Sequence, residues 1–368
     1  MDAGVPSAEH PEPPHSQARL PEALRDRIGQ MIMVGFRGLT AREAQPTLRA
    51  IDDGTIGWVV LYDVDAETGG PRNVQSPSQV RELNDAIKAA GKIPVMVTVD
   101  AEGGFYHRLK ERYGFSPAVP AAAIGERDDP EFTREAAIGI ASDLARAGVD
   151  LNLAPVVDLM NPGNLTVSAR RRSYSADPEE VAVHAGAFIR GHHECGVLTA
   201  VKHFPGMGGV LKPYSAGVGE VIENWSEKEL VPYRELQTQG LLDAVLASRT
   251  THPELDANDP GCLSPRVVDG ILRKQIGFDG VVISDAMEML PIWDIYGFER
   301  GIVMAIQAGC DVLLFCNQSG IVPYSDDRAP AAVDAILRAI DRGELTEAQI
   351  DRSCARILAL KARRGATA

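Results

Sequence analysis

Eight short apolar segments alternate along the chain with longer amphipathic ones, and this alternation limits the fold more than any other feature. The apolar segments span residues 31–36, 57–62, 94–100, 149–158, 196–204, 243–248, 280–286 and 311–316. Runs of this length, bounded by Gly, Pro or Asp, are typical of strands buried in a parallel sheet. The sequence therefore predicts eight such strands.

Helical patterns lie between the apolar segments. They cover residues 77–90, 130–147, 177–194, 264–276 and 298–308, and a capped amphipathic segment follows at 345–365. Several begin at Ser, Asp or Pro, which are common at helix N-termini. A doubly wound sheet usually has fewer strands and a glycine-rich first turn, whereas the first turn here reads VGFRG. We therefore predict an α/β fold, a (β/α)8 TIM barrel.

The two ends of the barrel domain are predicted from composition. Residues 1–20 are rich in Pro, Glu, Ser and His and have too little apolar surface to fold, so we expect a disordered tail. No internal repeat and no long linker follows, which predicts a single TIM-barrel domain over residues 21–368.

Charge and composition exclude several classes of partner. The net charge is −14 and the pI is about 5.1, so the chain would repel a nucleic acid backbone. The N-terminus has neither a basic nor an apolar leader region, and no run reaches about 18 apolar residues, so we expect no membrane partner. Five scattered cysteines fit a reducing compartment, which we predict to be the cytoplasm.

Polar residues close four of the predicted strands. Asp100 ends the third, Asp158 the fourth, the Lys202-His203 pair the fifth and Asp285 the seventh. Catalytic groups in a TIM barrel lie at these carboxyl ends. Asp100 can accept two sugar hydroxyls, Lys202 and His203 can donate to hydroxyl or acetamide oxygens, and Asp285 can reach an anomeric carbon. The pattern predicts a sugar pocket with one candidate nucleophile.

No metal or cofactor is predicted. The cluster HHE at 192–194 lies at the end of an amphipathic helix, remote from the strand ends, and its members are too close in sequence to converge on one ion.

Ordered motifs from about Leu24 to Lys361 resemble glycoside hydrolase family 3, and within it the single-domain β-N-acetylglucosaminidase branch. The motifs are IGQMIMVGF, VTVDAEGG, LNLAPVVDLMNPGN, RRSYSADPEEVA, AVKHFPG, GFDGVVISDAMEM and AGCDVLLFC. The strongest are the K-H-F-P-G signature and the S-D pair of the nucleophile strand.

The resemblance implies a retaining glycosidase that needs no cofactor. Asp285 would attack the anomeric carbon and form a covalent glycosyl-enzyme, which water then releases. The residues implied to bind the sugar are Asp100, Arg108, Arg172, Lys202 and His203.

The sequence departs from the family in the loop after K-H-F-P-G, where this branch carries an Asp-His dyad as general acid/base. Ungapped alignment places Met207 at the first His, Pro213 at the Asp, Tyr214 at the Ser or Thr, and Ser215 at the catalytic His. The dyad is therefore missing. Nearby, Phe105 replaces an Arg, and Ser248-Arg249 replaces an Ala-His pair.

Loss of a general acid typically slows hydrolysis by about 10²–10⁴-fold, which leaves three outcomes open. Another group could supply the proton: Glu220 is the most natural substitute, and Tyr214, His107 and His252 are further candidates. The enzyme could act on an activated or specialised substrate, or transfer the sugar to another nucleophile such as phosphate. The chain could also bind a sugar without cleaving it. We favour a retaining β-glycosidase, of β-N-acetylhexosaminidase type.

Overall fold

The computed structural model of the protein describes residues 20–213, 219–318 and 320–366. Of the tail predicted for residues 1–20, only Leu20 lies within the described residues. Tyr214 and Ser215 also lie outside them. The division into a tail and a single domain stays a prediction.

Short strands occur in two sheets. In chain order they are Ile32–Gly35 (β1), Trp58–Leu61 (β2), Met96–Val99 (β3), Leu151–Asn152 (β4), Leu198–Phe204 (β5), Val210–Lys212 (β6), Val221–Glu223 (β7), Ala244–Ala247 (β8), Thr251–His252 (β9), Asp256–Pro260 (β10), Val281–Ile283 (β11) and Leu313–Phe315 (β12). Each of the eight predicted apolar segments contains one strand of the larger sheet.

The larger sheet is a parallel barrel. Its strands follow the order β11-β8-β5-β4-β3-β2-β1-β12, and every neighbouring pair is parallel. A parallel bridge between Ile283 and Val312 joins the two end strands, and Ser284 N donates to Val312 O at 2.8 Å. The predicted (β/α)8 TIM barrel is confirmed.

The helices surround the barrel. They are Leu24–Gly29 (α1), Gln45–Asp52 (α2), Pro77–Ala90 (α3), Ala121–Arg127 (α4), Pro130–Arg146 (α5), Pro178–Glu194 (α6), Val231–Thr238 (α7), Leu290–Tyr296 (α8), Phe298–Ala308 (α9), Arg328–Asp341 (α10) and Glu347–Ala366 (α11). The side chains of Ser76, Asp129 and Asp177 accept hydrogen bonds from the first turns of α3, α5 and α6. Each precedes a proline at the first helical position, which explains why these helices begin where they do.

Three short 3₁₀ turns and one π-helical segment complete the described secondary structure. They are Glu111–Tyr113, Glu227–Leu230, Gly261–Leu263 and, as the π-helix, Arg266–Gln275. The π-helix lies within the helix predicted over 264–276. It buries Val267, Val268, Ile271 and Leu272. The predicted apolar face is therefore buried, but on a helix whose turns are wider than those of an α-helix.

Every residue of β1, β2, β3 and β8 is buried. One face of each strand points into the barrel and the other lies beneath the helices, which is why these segments are almost continuously apolar. None of the described helices is both long and apolar enough to cross a bilayer. The cytoplasmic location stays a prediction.

A small second sheet covers part of the barrel mouth, in a region that the sequence analysis treats as a loop. Its strand order is β10-β9-β7-β6, with β6 antiparallel to β7. Beneath it, Val167, Met207 and Ile222 form a separate apolar cluster. Met207, which stands at the family's first histidine, therefore has a packing role. These strands are too short and too mixed in polarity to show the alternation of apolar and polar residues by which strands are predicted from sequence.

Gly35, at the end of β1, is needed for close packing of the barrel. A Cβ there would lie 2.0 Å from the carbonyl oxygen of Cys316, which follows β12. We expect Gly35→Ala to lower the free energy of unfolding by about 1–3 kcal/mol, measured by urea denaturation. Gly139→Ala, on the exposed side of α5 with no atom within 4 Å, should instead add about 0.5–1 kcal/mol. Equal midpoints for both variants would contradict this account.

Glu229 lies under the loop that follows β5. Its Oε2 accepts a hydrogen bond from Leu159 N at 3.2 Å, and a Cβ added to Gly208 would lie 2.1 Å from its Oε1. Burial, together with the negative charge of Asp158, raises the pKa of Glu229 to about 8. The folded protein therefore holds this carboxyl in its neutral form at pH 7.

The raised pKa predicts a pH-dependent stability. Between the ordinary value of 4.5 and about 8, the unfolded chain loses a proton that the folded chain keeps, so stability falls as the pH rises. From pH 5.5 to 8 we expect wild type to lose about 1–3 kcal/mol more than Glu229→Gln in urea unfolding. Glu227→Gln, at an exposed carboxylate on the same turn, is the control and should keep the wild-type slope. An unchanged slope in Glu229→Gln would show that Glu229 is ionised in the folded state.

Candidate active site

Because all barrel strands are parallel, their carboxyl ends meet at one mouth. Asp100 follows β3, Lys202 and His203 lie in β5, Arg249 follows β8, and Asp285 follows β11. The residues implied by the resemblance to bind sugar are joined there by direct contacts.

A network of alternating charges lines one side of the mouth. Lys202 Nζ lies 2.7 Å from Asp100 Oδ1 and 2.8 Å from Glu102 Oε1. Arg172 donates two hydrogen bonds of 2.8 Å to Glu102, and Arg108 Nη2 lies 3.8 Å from Asp100. Burial alone would raise the pKa of Glu102, but Arg172 and Lys202 hold it well below its usual range.

Asp100 is the most accessible carboxylate of this network. Its side chain is 17% exposed, against 4% for both Lys202 and Glu102. A carboxylate fixed by a buried cation is suited to accept neighbouring sugar hydroxyls. Glu102 was not among the predicted site residues, although it directly precedes the glycine pair of the motif VTVDAEGG.

Asp158 fixes His203 in the mouth. The imidazole Nδ1 lies 2.7 Å from Asp158 Oδ2, and Asp158 Oδ1 accepts from the backbone N atoms of His203 and Met207 at 3.1 and 2.8 Å. Arg172 Nη2 lies 3.3 Å from His203 Nε2. Because a guanidinium only donates, Nε2 is the acceptor and Nδ1 carries the proton in this arrangement. The Lys202–His203 peptide is cis.

Asp285 lies at the mouth, just after β11, with both oxygens hydrogen-bonded. Its Oδ1 accepts from Ala286 N at 2.7 Å, and its Oδ2 accepts from Arg249 N at 3.2 Å. Arg249 Nη1 donates to Oδ1 at 3.2 Å and to Oδ2 at 3.1 Å. Burial raises the pKa of Asp285, but the Arg249 guanidinium and the hydrogen bonds from Ala286 N and Arg249 N outweigh burial and keep it below the ordinary value.

Glu220 shares the same guanidinium. Arg249 Nη2 lies 2.9 Å from Glu220 Oε2, so one arginine contacts the candidate nucleophile and the candidate acid/base together. The sequence analysis noted Arg249 only as a departure from the family. That departure was the available signal for its place in the site.

The other proton-donor candidates are poorly suited to proton transfer. Burial lowers the pKa of His107 and of His252 to about 4, so both rings are neutral at pH 7. His252 Nε2 also lies 2.9 Å from the carbonyl oxygen of Gly206. Tyr214 lies outside the described residues.

A cavity of about 220 Å³ opens beside Arg249. The side chains that line it include Val221, Arg249, Thr251, Asn258, Pro291 and Tyr296. Arg249 is its one charged lining residue within the described chain. No three His, Cys, Asp or Glu side chains of residues 20–213, 219–318 and 320–366 are placed to hold a metal ion.

Comparison with known proteins gives a consistent result. Residues 23–360 match the model of the glycosyl hydrolase family 3 N terminal domain. A beta-hexosaminidase of Stenotrophomonas maltophilia (strain R551-3) is 32% identical over 329 residues, which cover 87% of this chain and 90% of that protein.

Two solved structures have the same fold. A glycoside hydrolase family 3 beta-N-acetylglucosaminidase from Paenibacillus sp. str. FPU-7 superposes with a TM-score of 0.83 at 33% identity, over 94% of this chain. This chain spans only 63% of that protein's length. A beta-N-acetylhexosaminidase from Beutenbergia cavernae DSM 12333 superposes with a TM-score of 0.80 at 28% identity, over 94% of this chain and 100% of that one. Because the family match runs from residue 23 to residue 360, the protein belongs to glycosyl hydrolase family 3.

Proposed function

We propose that this protein hydrolyses β-N-acetylhexosaminides with retention, through a covalent glycosyl intermediate on Asp285. Family membership and the beta-hexosaminidase relatives support a β-glycoside hydrolase. The observation that carries the finer proposal is the position of Asp285, whose carboxylate lies at the barrel mouth and is oriented by the backbone N atoms of Ala286 and Arg249.

Asp285 is suited to nucleophilic attack because its lowered pKa keeps it ionised at neutral pH. One carboxylate oxygen would bond to the anomeric carbon while the glycosidic bond breaks and the leaving oxygen takes up a proton. Water would then attack the same carbon, release the sugar and regenerate the carboxylate. Asp100, held by Lys202, would meanwhile bind the sugar hydroxyls.

We further propose that Glu220 replaces the missing dyad as acid/base. Arg249 Nη2 lies 2.9 Å from Glu220 Oε2 while its Nη1 lies 3.1 Å from Asp285 Oδ2, so both carboxyl groups contact one guanidinium, which supports a role for the two at one anomeric centre. The cavity beside Arg249 offers space for a leaving group next to Glu220.

A second function is favoured by one observation. Arg249 binds both oxygens of Asp285, and a carboxylate held in an ion pair is a weaker nucleophile. A sugar-binding protein without hydrolytic activity would have such a site. The two candidates differ in whether a bond to Asp285 ever forms.

The first experiment tests for that bond. With a slow activated donor, such as a 2,4-dinitrophenyl β-N-acetylglucosaminide, we expect mass spectrometry to find a glycosyl adduct on Asp285. Asp285→Asn should lose the adduct and at least about 10³-fold in turnover. The control Asp279→Asn, at an exposed carboxylate paired with Arg356, should behave as wild type.

Saturable sugar binding without any adduct or turnover would support the non-hydrolytic function instead. Turnover that disappears in Asp285→Asn but persists in the control would exclude it.

A second experiment tests Glu220. Glu220→Ala should slow hydrolysis of a methyl β-glycoside by about 10²–10⁴-fold and affect a dinitrophenyl glycoside far less, because only the poor leaving group needs a proton. Azide should restore turnover of the activated substrate and yield a glycosyl azide. Glu223→Ala, at a half-exposed carboxylate in β7, is the matched control. Equal losses on both substrates without azide rescue would rule out Glu220 as acid/base.

A further inference from the structure

The hydrogen bonds around Asp285 leave no acceptor position free. A carboxylate has about four lone-pair positions, two on each oxygen. Oδ1 accepts from Ala286 N and from Arg249 Nη1, and Oδ2 accepts from Arg249 N and from the same Nη1. Two of the four bonds come from the arginine side chain. Attack on an anomeric carbon needs one of these positions to be vacated.

The contacts of Arg249 indicate which bonds are the easiest to break. Its side chain lies 3.1 and 3.2 Å from the oxygens of Asp285, but 2.9 Å from Glu220. The backbone donor Ala286 N is much closer to Asp285, at 2.7 Å. Glu220 Oε2 is buried and makes no hydrogen bond to a described residue despite this short contact, so the guanidinium can gain a hydrogen bond there by turning away from the nucleophile.

We propose that Arg249 is a positioning residue that controls attack by Asp285: it blocks the carboxylate while it bridges to it, and frees it by turning fully onto Glu220. This inference rests on the proposed function. The cavity that Arg249 lines gives its side chain room to move. After the turn, the backbone N atoms of Ala286 and Arg249 still orient Asp285.

The charge balance of the reaction favours this motion. In the resting site, one guanidinium contacts the ionised Asp285 and the carboxyl group of Glu220. When an oxygen of Asp285 bonds to the anomeric carbon, the glycosidic bond breaks and Glu220, as the acid, gives its proton to the leaving oxygen. The Asp285 carboxylate thereby becomes a neutral ester and Glu220 becomes an anion. Arg249 then has a single anionic partner, Glu220. Hydrolysis of the ester by water restores the charge on Asp285 and the bridge.

Among the described residues, few other ionisable groups face this pair. His203 lies within electrostatic range of Asp285 from β5, and Glu220 approaches from the segment before β7. Cys262 and Cys316 also lie near, but burial raises the pKa of both thiols well above neutrality. The ionisable groups in direct contact here are therefore Asp285, Arg249 and Glu220.

The experiment isolates the glycosylation step by measuring the rate of adduct formation on Asp285 with the dinitrophenyl donor, which needs no acid. Arg249→Met should accelerate adduct formation at pH 7 by about tenfold or more, because two hydrogen bonds to the nucleophile are lost. Glu220→Ala should slow it by about tenfold, since the guanidinium then has Asp285 as its one carboxylate partner. The two variants thus move the rate in opposite directions.

The pH profile separates this role from a purely structural one. In Arg249→Met the acid limb of adduct formation should move to higher pH, because the guanidinium that lowers the pKa of Asp285 is gone. Arg249→Lys keeps the charge but not the forked geometry, so it should hold the acid limb near its wild-type position while raising the rate. Thermal unfolding checks that each variant is folded.

Each outcome decides the matter. The inference is overturned if Arg249→Met or Arg249→Lys forms the adduct at the wild-type rate or more slowly. It is also overturned if Arg249→Met and Glu220→Ala change the rate of adduct formation in the same direction. Either result leaves the proposed function intact. An adduct in Arg249→Met but not in wild type supports it strongly. If neither wild type nor any Arg249 variant forms an adduct although the sugar binds, the proposed function fails, and the inference fails with it.

Discussion

Parallel pairing of all eight barrel strands is the constraint on which the site depends. It sends every carboxyl end to one mouth, so residues more than a hundred positions apart, such as Asp100 and Lys202, meet at 2.7 Å. Apart from Lys202 and His203 near the end of β5, the strands that make this pairing stable supply apolar packing. They act only by fixing where the polar residues at their ends are placed.

Charge compensation is the second organising feature of the mouth. Lys202 lies between Asp100 and Glu102, and Arg249 lies between Asp285 and Glu220. Each cation is therefore paired with two carboxylates, and this pairing offsets the desolvation penalty of burying the charges. The same sharing makes the site sensitive to small motions, because a cation that approaches one carboxylate leaves the other.

The sequence predicted the barrel because strand burial and helix capping both leave periodic, local signals. Asp100, Lys202, His203 and Asp285 were predicted as site residues because each one closes an apolar run. Arg249 also follows an apolar run directly, at 243–248, but it stood out only as a departure from the family, and no local pattern predicts its ion pair with Asp285. The second sheet was missed for a related reason: its short strands are paired by contacts across the mouth and not by an apolar period.

The hydrogen bond from Met207 N to Asp158 has an evolutionary consequence. A backbone donor is the same whatever side chain stands at the position, so His203 keeps its orienting partner even when residue 207 changes. A histidine could thus be exchanged for a methionine there by drift without disturbing the neighbouring subsite. The scaffold therefore tolerates a change of side chain at position 207 and keeps Asp158 and His203 in register.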